Sequence, residues 1–225
     1  INPNTTASMT EKIGLAARQA VRRETEILAV NPLKGPASIQ GYHDVALCVP
    51  HLLDEISRHK HVDAIVIACF DDTGLDAARC AVEVPVVGIG EAAFHAASLL
   101  ACKFSVVTTL RRSVPGIEAN LLRYGLDRRC ARVRACEVPV LELESNDPAT
   151  LERIEAEIRL ALEEDGAEAI VLGCSGMANL AKLLSNKCGV PVLEGVTCAT
   201  AFIESLAVLG LKTSKIGGYA APPSD

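Results

Sequence analysis

The chain of 225 residues has no tryptophan, only four phenylalanines and three tyrosines, and no excess of positive charge. Its 28 acidic residues outnumber its 22 Lys and Arg residues, which gives a formal net charge of −6. Nucleic-acid binding needs a basic face and favours aromatic stacking, so we expect no nucleic-acid partner. The longest apolar run, around residues 64–70, is far shorter than the roughly 20 apolar residues that cross a bilayer, so no membrane partner is expected.

The nine cysteines include no C-x-x-C pair, and the two nearest are Cys130 and Cys136. This spacing does not match a structural metal site, so we expect no metal. The opening INPNTT lacks the basic and apolar regions of a signal peptide, and we expect reduced thiols in a cytoplasmic protein. His59 and His61 form a weak chelate pattern, but the charges beside them favour a solvated turn.

Short β-branched runs alternate with longer helical patterns along the chain, which predicts an α/β fold with parallel sheets flanked by helices. Predicted strands are Glu26–Val30, Ala64–Ala68, Val86–Ile89, Phe104–Thr108, Arg134–Val138, Ala169–Gly173 and Pro191–Leu193. Predicted helices are Thr10–Arg22, Ala46–Arg58, Gly90–Ala101, Pro115–Tyr124, Pro148–Glu164 and Cys198–Leu209. Helix starts are predicted at Ser8 or Thr10 and at Asp147.

An internal repeat is the most informative feature of the sequence. The segment DAIVIAC, ending at Cys69, matches EAIVLGC, ending at Cys174, 105 residues later. A helical stretch follows each copy, and then a second matched strand, which begins VPVVG at Val84 and VPVLE at Val190. The repeat predicts two pseudosymmetric α/β lobes, 1–100 and 101–204, with the first completed by 205–225.

Cys69 and Cys174 each end an apolar strand, where ligands of parallel α/β folds bind. A pseudo-twofold axis would place the two thiols on opposite sides of one cleft. Inverting a carbon beside a carbonyl needs such a pair, since one group removes a proton and the other returns one to the opposite face. We expect helix N-termini to lower the pKa of these thiols, and the backbone amides after each Cys to stabilise an enolate oxygen.

The alternative is that strand-end cysteines are small buried apolar residues, which is the usual fate of Cys. That interpretation is weaker for a symmetric pair followed by polar and Gly residues. It is preferred for the seven cysteines that lack a repeat partner: Cys48, Cys80, Cys102, Cys130, Cys136, Cys188 and Cys198.

Several motifs together resemble the hydantoin racemase branch of the aspartate/glutamate racemase superfamily. They are NPNT at residues 2–5, ACFDDTG at 68–74, VTT at 107–109 and GCSGM at 173–177, with GPASI at 35–39 and TSK at 213–215. The resemblance implies two pseudosymmetric lobes with the active site between them, a two-base mechanism without a cofactor, and a homo-oligomer. It also implies a small cyclic ureide as substrate.

Two differences from related families narrow the range of reactions that the resemblance implies. Glutamate racemases carry Asn-Thr after the first cysteine, where this chain has Phe70 and Asp71, and arylmalonate decarboxylases keep only one cysteine. Retention of both cysteines favours racemisation over decarboxylation. The implied substrates are 5-substituted hydantoins or allantoin, and the sequence does not separate them. Two alternatives stay open, namely a racemase of an amino acid or other carbon acid, and a two-lobed small-molecule binding protein.

The resemblance also implies individual roles. Cys69 and Cys174 would exchange protons at C5, Asn4 would hydrogen-bond the substrate or hold its loop, and Thr109 with Thr108 would donate to a ring carbonyl. The walls of the site would be Phe70 and Asp71 on one side and Ser175, Gly176 and Met177 on the other, with Ile39 on a closing loop. For Thr108, Thr109 and Ile39 a purely structural role at a strand end or loop is an equal alternative.

Overall fold

The computed structural model describes residues 1–145 and 147–223, and within them strands and helices alternate as predicted for an α/β fold. The strands are β1 (Ile65–Ile67), β2 (Val86–Gly88), β3 (Phe104–Thr108), β4 (Cys130–Ala135), β5 (Ala169–Gly173) and β6 (Val192–Glu194). The helices are α1 (Ala7–Gln19), α2 (Tyr42–Arg58), α3 (Leu75–Ala81), α4 (Ile89–Leu100), α5 (Val114–Arg123), α6 (Pro148–Glu164), α7 (Ala181–Cys188) and α8 (Gly195–Val208).

The strands form two parallel sheets, which confirms the predicted fold class. β1 pairs with β2, and the larger sheet has the order β4-β3-β5-β6. Every residue of β3 and β5 is buried, because these central strands are covered by helices on both faces. Two side-chain cores follow this division. The smaller one consists of Leu52, Ile56, Ile65, Ile67, Leu75, Ala78 and Val86, and the larger one surrounds the four-stranded sheet.

The first turns of α4 and α8 meet where the two halves join. Gly195, the first residue of α8, has no Cβ, and a Cβ there would overlap the carbonyl oxygen of Ile89 at the start of α4. These are the two helices that follow the second matched strand of each repeat. Their contact therefore lies where a pseudo-twofold axis would pass.

The structure corrects several element predictions. Glu26–Val30 is not a strand, because within the described residues it forms no ladder with a neighbouring strand, although the Asn2 amide donates to the Val30 carbonyl oxygen at 2.9 Å. Helix α1 begins at Ala7, so Ser8 and Thr10 lie inside it rather than capping it. The start predicted at Asp147 is confirmed, since its carboxylate accepts from the Ala149 amide at 3.0 Å. Helices α3 and α7 lie in the helical stretches predicted after each copy of the repeat, whose bounds the sequence did not give.

The C-terminal segment returns to the first half of the chain. The Thr213 amide donates to the Glu83 carbonyl oxygen at 2.9 Å, and Lys215 Nζ donates to the carbonyl oxygens of Arg79 and Cys80 at 2.6 and 3.1 Å. These contacts agree with a first lobe completed by 205–225, although the lobe boundaries stay a prediction and residues 224–225 lie outside the described residues. No helix in the described ranges has the length and apolar character needed to span a bilayer.

Candidate active site

One cleft lies at the carboxyl ends of β1, β3 and β5. It is lined by most of the residues that the sequence singled out, namely Asn4, Ile39, Cys69, Phe70, Asp71, Thr108, Thr109, Cys174 and Ser175. Its volume is about 400 Å³, including the open mouth. Because the sheets are parallel, the carboxyl ends of their strands lie on the same side. Segments that are distant in sequence therefore meet at the cleft.

The two cysteine sulfurs have matching backbone environments. The Asp71 amide lowers the pKa of Cys69, and the Gly176 amide lowers the pKa of Cys174, so in each half the amide two residues further on favours the thiolate. Cys69 Sγ also accepts from the Thr73 hydroxyl at 3.4 Å. The expectation that the amides after each Cys stabilise an enolate oxygen stays a prediction.

Burial dominates the ionisation of both thiols. It raises the pKa of Cys174 from 9.0 to about 12, with the nearby Asp71 charge adding to the effect and the Gly176 amide opposing it. The pKa of Cys69 is raised further by the same burial and the same Asp71 charge. The expected lowering by backbone amides is present at both thiols, but desolvation of the thiolate outweighs it, so each pKa lies above its ordinary value.

Asp71 brings an unpaired carboxylate into the cleft. Its backbone carbonyl oxygen accepts from Asn120 Nδ2 at 2.9 Å, but its carboxylate has no hydrogen-bond or ion-pair partner within 1–145 and 147–223. Burial raises the pKa of this carboxyl group from 3.8 to about 6. An acceptor left unpaired beside two thiols is suited to an N–H donor of a ligand.

Asn4 lines the cleft and shapes the turn before α1. Its Oδ1 accepts from Asn2 Nδ2 and from the Thr6 amide, both at 2.9 Å, and its Nδ2 donates to Met9 Sδ at 3.3 Å. These bonds fix the start of α1. One amide hydrogen of Asn4 Nδ2 is thereby left for a ligand.

The loop that carries Ile39 is tied to the same turn. The Thr5 amide donates to the Pro36 carbonyl oxygen at 3.0 Å, and the Thr6 hydroxyl donates to the Ala37 carbonyl oxygen at 2.7 Å. Ile39 itself is 8% exposed and lines the cleft. The part of the cleft lining that Ile39 forms is therefore tied to the Asn4 turn.

The two threonines after β3 differ in what their hydroxyls can do. The Thr108 hydroxyl donates to the Gly173 carbonyl oxygen at 3.0 Å, so it joins β3 to β5. The Thr109 side chain also lines the cleft, and its hydroxyl donates to no other group in the described part of the chain. Thr109 is thus the better placed of the two to donate to a ligand.

Gly176 and Met177 do not line the cleft. Met177 is fully buried in the larger core, and Gly176 packs behind Cys174 against Leu143, where a Cβ would lie 2.9 Å from Leu143 Cδ1. Sequence reasoning missed other lining residues, namely Met9, Ala68, Ser113, Val140 and Gly173. Ala68 and Gly173 precede the two cysteines and could have been found from the repeat, whereas the other three carry no local signal.

A metal role for the histidines has no support in the geometry. His59 Nε2 lies 3.0 Å from Glu55 Oε1, within a cluster at the end of α2 and away from the cleft. Nowhere in the described ranges do three or more His, Cys, Asp or Glu side chains come together as a metal-binding group.

The fold is that of a two-lobed α/β protein with a cleft where the carboxyl ends of strands from both parallel sheets meet. The family described as Asp/Glu/Hydantoin racemase matches residues 1–203, and the chain belongs to this family. It is 49% identical to the hydantoin racemase of Rhizobium meliloti over 225 residues, covering 99% of this chain and 93% of that protein. It is 46% identical to the hydantoin racemase of Pseudomonas sp. (strain NS671) over 224 residues, or 99% and 90% of the two chains.

Solved structures give the same result. The allantoin racemase from Klebsiella pneumoniae superimposes with a TM-score of 0.96 at 46% identity, covering all of this chain and 92% of that one. This likeness over the full length confirms the resemblance that the sequence motifs carried.

Proposed function

We propose that this protein is a cofactor-independent racemase that interconverts the enantiomers of 5-substituted hydantoin-type rings by proton transfer at C5. The observation that carries the proposal is the pair of thiols at equivalent strand ends, Cys69 and Cys174, lining one cleft with matching amide contacts. The relatives named as hydantoin racemases and allantoin racemases support the activity class.

In the proposed mechanism one sulfur, as thiolate, removes the C5 proton from one face of the ring. The C–H electron pair moves toward the adjacent C4 carbonyl, whose oxygen gains charge as an enolate. The other sulfur, as thiol, then donates its proton to C5 from the opposite face and is left as thiolate. Proton and charge are balanced within the two thiols and the ring, and the roles reverse for the other enantiomer.

The remaining lining residues would hold the ring. The Thr109 hydroxyl is available to donate to a ring carbonyl oxygen, and the Asp71 carboxylate is available to accept a ring or side-chain N–H. Phe70 and Ile39 add apolar walls. Hydantoins and allantoin both offer carbonyl oxygens and N–H groups, so the proposal covers the cyclic ureide class. The assay below determines which C5 substituent the enzyme accepts.

The deciding experiment follows the circular dichroism of single enantiomers of 5-benzylhydantoin and of allantoin in deuterated water, with enzyme and no added cofactor. Cys69→Ser and Cys174→Ser are compared with Cys136→Ser as a matched control. Cys136 is also buried, at 4% exposed, but does not line the cleft. Decay of the optical signal with deuterium at C5, lost in the first two variants and retained in the third, is the expected result.

Other outcomes would redirect the assignment. Decay at the uncatalysed rate with both rings would refute the ureide assignment and favour a racemase of an amino acid or another carbon acid. Ligand binding without turnover, unaffected by Cys69→Ser, would favour a binding protein instead. Racemisation that survives either cysteine substitution would refute the two-base mechanism.

A homo-oligomer and a cytoplasmic location remain part of the proposal. The nine cysteines are all free thiols, which is compatible with a reducing compartment. Exposed apolar side chains such as Leu33, Tyr42 and Ile216 offer area for contact between subunits. Light scattering of the purified protein would measure the oligomer directly.

A further inference from the structure

Asp72 follows Cys69 by three residues and is almost fully buried, at 6% exposed. Its backbone is left-handed, with φ of 50°. Its carboxylate accepts from the amides of Gly90 and Glu91 at 2.9 and 2.8 Å, and from the Tyr124 hydroxyl at 2.8 Å. A single side chain therefore joins the loop after β1 to the first turn of α4 and to the end of α5.

The corresponding helix in the second half is capped differently. Glu194 precedes α8, and its own carboxylate accepts from the amides of Val196 and Thr197 at 2.7 and 2.8 Å. The repeat aligns Glu194 with Gly88, which precedes α4 and has no side chain. A Cβ added to Gly88 would overlap the Asp72 carboxylate. Asp72 thus supplies, from a different loop, the cap that Glu194 supplies from its own position.

This arrangement ties the whole loop after Cys69 to α4. The Asp72 amide donates to the Cys69 carbonyl oxygen at 3.0 Å, which closes the turn between them. Gly90 has no Cβ, and its absence lets the Phe70 carbonyl oxygen approach the first turn of α4. The loop that aims the Cys69 sulfur is therefore held by the same carboxylate that caps the helix.

We propose that Asp72 is a positioning residue for the Cys69 thiol, a proposal that rests on the proposed function because it takes Cys69 as one of the two proton-transfer groups. Asp72 does not line the cleft, and it acts by holding residues 69–72 against α4. The cap of α8 lies on a different loop from Cys174, so the second thiol is not held in this way. Loss of Asp72 should accordingly impair one of the two proton transfers.

The test separates capping from positioning through the repeat itself. Asp72→Asn and Asp72→Ala weaken or remove the carboxylate contacts, and the double variant Asp72→Ala with Gly88→Glu places a capping carboxylate before α4, as in the second half. Glu194→Ala is the matched control, because it removes the equivalent cap from the other helix. Three quantities are measured: the melting temperature, the iodoacetamide modification rate of Cys69 relative to Cys174, and C5 deuterium exchange relative to inversion.

We expect the double variant to regain most of the melting temperature lost in Asp72→Ala. Its inversion rate should stay about 100-fold below that of the unsubstituted enzyme, the usual effect of misplacing a reacting group by about 1 Å. Deuterium exchange without inversion should persist from the enantiomer whose proton faces Cys174. Cys69 should be modified faster relative to Cys174 in both Asp72→Asn and Asp72→Ala, and at an unchanged ratio in Glu194→Ala.

Recovery of inversion and of the modification ratio in the double variant would overturn the proposal and leave Asp72 as a helix cap alone. An unchanged modification ratio in both single Asp72 variants would overturn it as well. The modification ratio needs no substrate, so it tests the placement of Cys69 even if the unsubstituted enzyme racemises neither ring. Failure of the unsubstituted enzyme to racemise either ring would refute the proposed function without affecting this test.

Discussion

The buried thiols predict an unusual reactivity profile for the free enzyme. Burial raises the pKa of Cys174 from 9.0 to about 12, which corresponds to about 4 kcal/mol against forming the thiolate. At pH 8 the thiolate fraction falls from about one in ten to about one in ten thousand. Because alkylating reagents attack the thiolate, Cys174 should react about a thousand times more slowly than a thiol of ordinary pKa.

The assay is iodoacetamide alkylation of the free enzyme between about pH 7 and 10, a range that brackets the ordinary thiol pKa. Quantitative mass spectrometry would follow the peptide that contains Cys174. N-acetylcysteine in the same tube provides the reference. The rate at Cys174 should rise about tenfold per pH unit over the whole range, since the group stays far below half-ionisation. Restricted access alone would lower the rate without moving the pH at which it levels off.

A plateau at Cys174 below pH 9 would refute the reasoning, because it would mean that amide contacts or helix dipoles outweigh burial. The same shift has a consequence for stability. The unfolded thiol loses its proton near pH 9 while the folded thiol keeps it to about pH 12, so stability should fall as pH rises through this window. The proposed mechanism needs one thiolate, and at neutral pH it therefore requires that substrate binding favours ionisation of one thiol.

Three further predictions concern single side chains around the cleft. Asp71→Asn removes a charge that raises the pKa of both cleft thiols, so both should be alkylated faster at a given pH; slower alkylation would contradict this. Thr109→Val should raise KM for the hydantoin-type substrate about 5- to 10-fold, the effect of losing one hydrogen bond. Thr108→Val should mainly lower the melting temperature. Initial rates and thermal unfolding measure these effects, and a larger KM change in Thr108→Val than in Thr109→Val would contradict the prediction. Gly173→Ala places a Cβ 2.9 Å from Thr108 Cβ and should reduce the free energy of unfolding by about 1–3 kcal/mol; an unchanged urea midpoint would show that the strands relax without cost.

Local patterns were sufficient for the central part of the fold. Phe104–Thr108, Ala169–Gly173 and Pro148–Glu164 were predicted with the bounds that the structure has, because continuous apolar runs and a strong helix start are local signals. The helices Leu75–Ala81 and Ala181–Cys188 lie in the helical stretches predicted after each repeat copy, but their bounds were not predicted, because seven or eight residues are too few for a clear helical period. Glu26–Val30 was wrong because a β-branched run does not show whether a neighbouring strand is available for pairing.

The residues of the cleft also divide into those with a local sequence signal and those without one. Cys69 and Cys174 could be identified from a repeat written in the chain, and the motifs around them carried the family. Met9, Ser113 and Val140 could not be identified, because they reach the cleft only through packing of distant elements.

The amino-acid sequence by itself determined the alternation of strands and helices, the pseudosymmetry and the two thiols. Only the tertiary structure decided their ionisation, because desolvation depends on what surrounds a sulfur and not on its sequence neighbours. It also decided which of two adjacent carboxylates, Asp71 or Asp72, is left unpaired in the cleft and which caps α4. A glycine at position 88 shows only that a side chain is missing there, and the folded chain shows that another residue fills its place.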